Sequence, residues 1–420
     1  MTSIAIRIFL IAPNVSEQMG GEAMKALHIF RELQKIVPDV VQITHARNRE
    51  EVAGRLGIAG VHFIEDTWVS RALWRVKPLR LLLNPWFSWN AVRLASRLAA
   101  DDRTRPTVIW QTEPNSPVAP RAMARDHLNV LGPINGNIYY PPAFRDHESA
   151  LARWRRRTHM PLQRLQRFLR STVAHADLIL VAGGARTRES LLAAGCRVDR
   201  LVDAADCGVD GTLLRGPRIT HHGRNPRFVH FGRLVFHKGT ALIIQALTHT
   251  APDVTLDIVG RGPELARCKA LTQELGLQAR VRFLDWYPAR EDLIESLSGY
   301  RGLVLPSLED ANGMVVQEAM ALGLPPICLD WGGPQLLIEH GMSGFLVHAG
   351  TPAEIARRLA CHMDELASDG ELAERLSTEA RRQAGTWDWP VLAHAWVTEI
   401  APRAAAKHAG AVRVPRQRTT

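Results

Sequence analysis

No stretch of this 420-residue sequence approaches the roughly 20 consecutive apolar residues that a membrane-spanning helix needs. The opening MTSIAIRIFLIAPN has only a short apolar run. Arg7 interrupts it and a polar turn follows, so a first buried strand is expected rather than a secretion signal. Cysteine is scarce. Cys196, Cys207, Cys268, Cys328 and Cys361 lie scattered, without the spacing of a metal site or a disulfide framework, which points to a reducing compartment. H-E-x-x-H and G-x-S-x-G are missing, which removes zinc-protease and serine-hydrolase chemistry. Neither zinc-finger spacing nor an aromatic–Gly RNA-binding signature occurs, so no nucleic-acid partner is expected.

What is present is an ordinary globular composition, 46% hydrophobic and 22% charged, with a formal net charge of +10. The positive charge is concentrated. Residues 66–105 hold eight Arg/Lys against three Asp, residues 151–170 hold seven Arg and no acid, and the tail 403–420 is basic. Such stretches suit an anionic membrane surface or phosphorylated ligands. WRVKPLRLLLNPWFSWNAVRLASRL (74–98) interleaves Trp, Leu and Arg; it fits an interfacial amphipathic segment and helical core packing equally well.

Short apolar runs alternate with amphipathic ones. Strands are expected at 4–12, 107–111, 127–132, 178–183, 227–231, 254–259, 280–284, 302–306 and 326–330. Helices are expected at 21–36, 239–249, 263–275, 290–298 and 313–322. The alternation predicts α/β architecture with parallel sheets covered by helices on both faces. A Gly/Pro-rich stretch at 207–226 reads as an interdomain connection. The expected layout is an N-terminal domain over 1–206, a second doubly wound domain over 207–385, a C-terminal helix over 386–403 packing back on the first domain, and a disordered basic tail over 404–420.

Three motifs carry chemistry. In FGRLVFHKG (231–239), Gly232 permits a sharp turn after a strand. Arg233 and Lys238 place two cations at the sheet edge where open α/β proteins bind ligands, an arrangement suited to a diphosphate; a solvated loop is the alternative. In PSLEDANGMVVQEAMAL (306–322), a helix start at Gly313, Met314 and Val315 favours an anion. The carboxylates Glu309, Asp310 and Glu318 around it suit hydroxyl groups, or else Asp310 or Asn312 caps the helix. A ligand bearing both phosphates and hydroxyls, such as a nucleotide sugar, meets both demands. In APNVSEQMGGEAMKAL (12–27), Gly20-Gly21 leads into a helix without the G-x-G-x-x-G or G-x-x-x-x-G-K-[ST] spacing, so a tight structural turn is as good a reading as a phosphate loop.

Taken together, Phe231 to Val347 resembles the retaining glycosyltransferases of family 4. The resemblance rests on G-R-L-x(3)-K-G, I-V-G-x-G-P-E, P-S-x(2)-E-x(2)-G-x(4)-E-A-M-A-x-G-x-P and the ending LDWGGPQLLIEHGMSGFLV. MGGEAMKALHIFRELQK is similar to that family's Gly-Gly loop and first helix. The resemblance implies a GT-B fold, two Rossmann-like doubly wound domains facing across a cleft that closes over the reaction. It implies transfer of a sugar from a nucleoside diphosphate to an acceptor hydroxyl with retained configuration, with no metal or other cofactor. Arg233 and Lys238 would bind the diphosphate, with backbone amides around Gly313, Met314 and Val315 helping and Gly20 and Gly21 approaching from the N-terminal side. Asp310, eight positions before Glu318, stands where the family has a glutamate on the donor sugar, and Glu318 where it meets the ribose. The shorter Asp310 is one departure from the pattern. The second is the lack of a histidine in LNVLGPINGNIYYPPAF, where Asn135 or Asn137 would substitute. Glu113 and Asn115 of WQTEPNSP are acceptor-side candidates. The implied acceptor is a glycan or a lipid-linked saccharide of cell-envelope or exopolysaccharide synthesis, reached from the cytoplasm at the inner membrane face. The alternatives are a GT-B epimerase of nucleotide sugars and a degenerate nucleotide-sugar-binding scaffold.

Overall fold

The computed structural model describes residues 6–16, 21–55, 59–168, 172–287 and 290–413. Its strands form two sheets, parallel throughout, with every strand-to-strand connection helical except the irregular 112–127 crossover between residues 107–111 and 128–134. The first sheet comprises β1 (Arg7–Ile11), β2 (Asp39–His45), β3 (Val61–Ile64), β4 (Thr107–Gln111), β5 (Leu128–Ile134), β6 (Leu178–Val181) and β7 (Leu201–Asp203). Their spatial order is β3-β2-β1-β4-β5-β6-β7. The second comprises β8 (Arg227–Phe231), β9 (Thr255–Val259), β10 (Val281–Leu284), β11 (Gly302–Leu305), β12 (Pro326–Leu329) and β13 (Phe345–Val347), in the order β10-β9-β8-β11-β12-β13. Both orders reverse direction once, between β1 and β4 and between β8 and β11. At such a switch point the loops leaving neighbouring strands part and open a crevice at the carboxyl edge.

Two compact units follow the two sheets. The first draws on residues 1–137, 157–208 and 389–420, the second on 138–156 and 209–388. In the first, the helix Gly21–Ile36 buries Ala23, Ala26, Leu27, Phe30 and Leu33, the apolar stripe its sequence period predicts. In the second, Ile243, Ile244, Leu256, Val304 and Ile327 are fully buried around β8, β9, β11 and β12. Each such side chain contributes about 1.5–3 kcal/mol of burial free energy.

Four expectations need correction. Residues 138–156 pack with the second unit rather than with the N-terminal one. Phe144 joins that unit's core, and the Trp331 indole donates to the Tyr139 carbonyl at 2.8 Å. The stretch 207–226 is more than a connection: it forms the helix Gly211–Arg215, whose N-cap Asp210 accepts from the Thr212 N–H. The last helix is longer than 386–403. It spans Trp389–Arg413 and so occupies much of the expected tail; 414–420 lie outside the described residues. Trp389 stacks on His28 at 5.0 Å and Trp396 meets Trp110 edge-on at 5.7 Å, which ties this helix into the first unit. Finally, β2, β3, β7 and β13 add strands where none was expected.

Candidate functional site

The second unit builds its site from the loops after β8, β9 and β11. Gly232, Gly260 and Gly262 have φ of +142°, +147° and +158°. A Cβ on Gly260 would lie 2.0 Å from the Gly232 carbonyl, and one on Gly262 2.2 Å from that of Leu234, so these two loops stack backbone to backbone. Gly239 (φ +69°) presses equally hard on the Pro306 carbonyl. The Leu308 N–H donates to the His237 carbonyl at 2.7 Å, joining the loops after β8 and β11. Beneath them His230 is fully buried, with Nδ1 on the Val304 carbonyl and Nε2 on the Thr240 hydroxyl, both at 3.0 Å. Burial first, and the Lys238 charge besides, push its pKa down to about 4, so the ring is neutral.

On this frame Lys238 and Asp310 form an ion pair at 2.6 Å. Asp310 also accepts from the Gly313 N–H at 3.1 Å through its other oxygen, and the Ser307 hydroxyl lies 3.5 Å from the first. Both oxygens of Asp310 are therefore engaged within the protein, so it orders the Lys238 ammonium and the helix start together. Gly313 is left-handed (φ +73°) and N-caps the helix Met314–Leu322. With the Gly313 N–H taken by Asp310, the Met314 and Val315 amides are the helix-start donors with no protein acceptor among the described residues. Arg233 is exposed, and among the described residues no carboxylate pairs with it. Glu309 is exposed at the rim.

Glu318 lies elsewhere on the same helix. With Val315 and Leu322 it forms one face lining a cavity of about 360 Å³, whose other walls include Phe231, Trp286, Tyr287 and Leu293. A single carboxylate in an apolar, aromatic cavity suits a flat heterocycle with hydroxyls attached. Trp286 and Tyr287 were not among the candidates. The aromatic pair in DWYP directly after β10 marks them in the sequence.

The first unit repeats the arrangement at its own switch point. Gly21 opens the helix after β1; Gly20 lies outside the described residues. Lys25 is buried and pairs with Asp206 at 3.0 Å and Glu22 at 3.2 Å, and it donates to the Asn115 side-chain oxygen at 3.1 Å. Burial opposes its charge, but the two carboxylates outweigh burial and hold its pKa above the ordinary lysine value. Asn14 donates to Glu113 at 3.3 Å, while the other Glu113 oxygen is buried without a hydrogen-bond partner. Burial, followed by the Glu22 charge, raises the Glu113 pKa to about 7. The Asn135 N–H donates to the Asn115 carbonyl at 3.1 Å, and its side-chain oxygen accepts from Arg186 at 2.7 Å. Glu113, Asn115 and Asn135 thus come together. Asn137 sits apart, left-handed at φ +57° and donating to the Ser190 hydroxyl at 2.8 Å. Lys25, Arg186 and Asp206 are members of this network that sequence reasoning missed. Among the described residues no group of His, Cys, Asp and Glu has the arrangement of a metal site.

Residues 217–383 match the family of glycosyl transferases group 1. Over 171 residues the chain is 31% identical to a D-inositol 3-phosphate glycosyltransferase of Corynebacterium glutamicum, covering 39% of this chain and 40% of that protein. Over 127 residues it is 31% identical to a lipopolysaccharide 1,6-galactosyltransferase of Salmonella typhimurium, covering 29% and 35%. The chain spans between 35% and 57% of the length of these and the other curated relatives it matches. Among solved structures, the lipopolysaccharide outer core galactosyltransferase WaaB in its apo form aligns with a TM-score of 0.67 at 17% identity, over 95% of this chain and 100% of that one. Anabaena HepE in complex with UDP aligns at 0.62 and 17% identity, over 94% and 100%. The two Rossmann-like units have the GT-B glycosyltransferase fold.

Proposed function

We propose that the chain transfers a sugar from a nucleoside diphosphate to an acceptor hydroxyl, with retention at the anomeric carbon, in the assembly of a glycan or lipid-linked saccharide. The observation that carries this reading is the juxtaposition in the second unit. Asp310 ties the ammonium of Lys238 to the start of the helix Met314–Leu322, which carries the unaccepted amides of Met314 and Val315 and whose next turn presents Glu318 to an aromatic cavity. In this reading the cavity takes the nucleoside, with Glu318 accepting from the ribose. The cations and helix start take the diphosphate, and Asp310 holds Lys238 until phosphate replaces it. A uridine base is the natural first choice, since HepE was solved with UDP.

Mechanistically, negative charge grows on the departing diphosphate as the glycosidic bond breaks. Arg233, Lys238 and the helix start face that charge in fixed positions, and removing one such donor costs about 3–4 kcal/mol of transition-state stabilisation. The acceptor proton passes to the leaving phosphate oxygen, so no protein nucleophile is required. The basic, Trp-rich stretch 66–105 supports attachment to an anionic membrane face, which would bring a lipid-linked acceptor to the site.

Lys238→Ala and Glu318→Ala should each lower turnover more than tenfold, measured as nucleoside diphosphate released per unit time; a tenfold loss corresponds to about 1.4 kcal/mol. Turnover within about twofold of wild type would remove the site assignment. An inverted anomeric product by NMR would remove the retaining mechanism alone.

A further inference from the structure

The first unit contains a second concave site that the Glu113 network leaves unused. A cavity of about 500 Å³ is lined by Arg47, Arg71, Arg75 and Arg80, by one carboxylate, Asp66, and by Trp74 and Trp86. Asp66 is already engaged, accepting from the Ser70 hydroxyl at 2.8 Å and lying 3.4 Å from His45 Nε2. The arginines are oriented by neutral partners instead. Arg71 donates to the Thr67 carbonyl at 3.3 Å; Arg80 donates to the Trp74 carbonyl at 2.8 Å, with its guanidinium 4.5 Å from that ring's centroid. Among the described residues no carboxylate pairs with Arg71, Arg75 or Arg80, whereas Arg7, Arg156, Arg224 and Arg382 each have one.

Four guanidiniums gathered in one hollow repel one another, and an anion placed among them reverses that cost. The same stretch also leaves apolar side chains in solvent. Trp68 is 76% exposed and Leu81 77%, with Val76 and Leu82 beside them. A solvated charged face would not combine a cationic hollow with exposed Trp and Leu on the same stretch of chain. Arg47 also hydrogen-bonds Asn14, the residue that donates to Glu113, so the hollow adjoins the acid at the sheet edge.

We infer that this cavity receives the phosphate-bearing headgroup of an amphiphilic acceptor, its phosphate on the guanidiniums and its apolar chain against the exposed Trp68, Leu81 and Leu82 of the same stretch. The inference rests on the proposed transfer, for which it names the acceptor class. A free sugar phosphate shares the anionic chemistry but has no use for the exposed apolar side chains.

Calorimetric titration of the full chain with dihexanoyl phosphatidic acid below its micellar concentration, with glycerol 3-phosphate and with inorganic phosphate tests it. The short-chain lipid should bind at least about tenfold more tightly than glycerol 3-phosphate, and an Arg71→Gln/Arg75→Gln double variant with an unchanged thermal melt should weaken both by about tenfold. Binding of neither probe by wild type, or equal binding by the double variant, overturns the site. Equal affinity for lipid and glycerol 3-phosphate overturns the amphiphile. Loss of binding to anionic vesicles without loss of the soluble probes reassigns the arginines to a membrane surface and overturns the cavity. A parallel UDP titration of wild type separates the two readings. If UDP binds and the lipid does not, only this inference fails; if UDP does not bind, the donor assignment fails on its own.

Discussion

Glu113 is the site carboxyl that burial moves furthest from its ordinary range. Its ordinary carboxyl pKa of 4.5 rises to about 7 in the fold, so between those values the folded chain holds a proton that the unfolded chain has released. Stability contributed at Glu113 therefore falls as pH rises through that window. Glu113→Gln keeps the shape and removes the ionisation. Its melt should match wild type near pH 5, and at pH 8 the variant should be more stable by about 1–3 kcal/mol. Coincident melts at pH 8 would contradict the buried, half-unpartnered carboxyl. Glu113 and Asn115 could be picked out of WQTEPNSP, but their partners could not. Asp206 reaches Lys25 across 181 positions, a proximity that only the sheet order creates. Asp310 could be chosen over Glu309 by counting back from Glu318. That both its oxygens are already engaged depends on Lys238 and Gly313 meeting in space.

Among the elements, the glycine loops at the carboxyl edge of the second sheet are the most constrained. Gly239→Ala would force a left-handed residue with a Cβ 2.3 Å from the Pro306 carbonyl. The left-handed conformation alone costs about 1–2 kcal/mol, and the clash adds to it. UDP affinity should fall with the melting temperature, since the loop must move away from β11. A Gly239→Ala chain that binds UDP and melts like wild type would contradict this packing. The strands β8, β9, β11 and β12 and the helices after β8 and β11 were legible, because short, mostly apolar runs bounded by glycine, proline or aspartate alternate with helical periods there. β2 was not, because it buries Gln42 and Thr44 and so lacks such a run. β3 and β7 are short edge strands whose pairing is decided by their neighbours.

For the whole molecule, charge is the property that composition states and the fold localises. Of the formal net charge of +10, much sits on residues 66–105, where Trp68, Trp74, Leu81 and Trp89 are exposed. Among the described residues no helix is long and apolar enough to cross a membrane. Attachment through this surface would be electrostatic, worth about 1 kcal/mol for each Arg or Lys at an anionic lipid face and screened within about 8 Å at physiological salt. Co-sedimentation with phosphatidylserine vesicles should be strong at low salt and largely lost in high salt, and pellets free of protein even at low salt would refute attachment.

The wedged glycines also set where this molecule can change. With Gly260 against the Gly232 carbonyl and Gly262 against that of Leu234, the backbone of these two loops has no room for a side chain. The walls of the neighbouring cavity, Trp286, Tyr287 and Leu293, carry no such constraint. If the cavity takes the nucleoside as proposed, divergence toward a different base, whether by natural drift or in a randomised library, is channelled into those three side chains while the glycine frame is inherited unaltered.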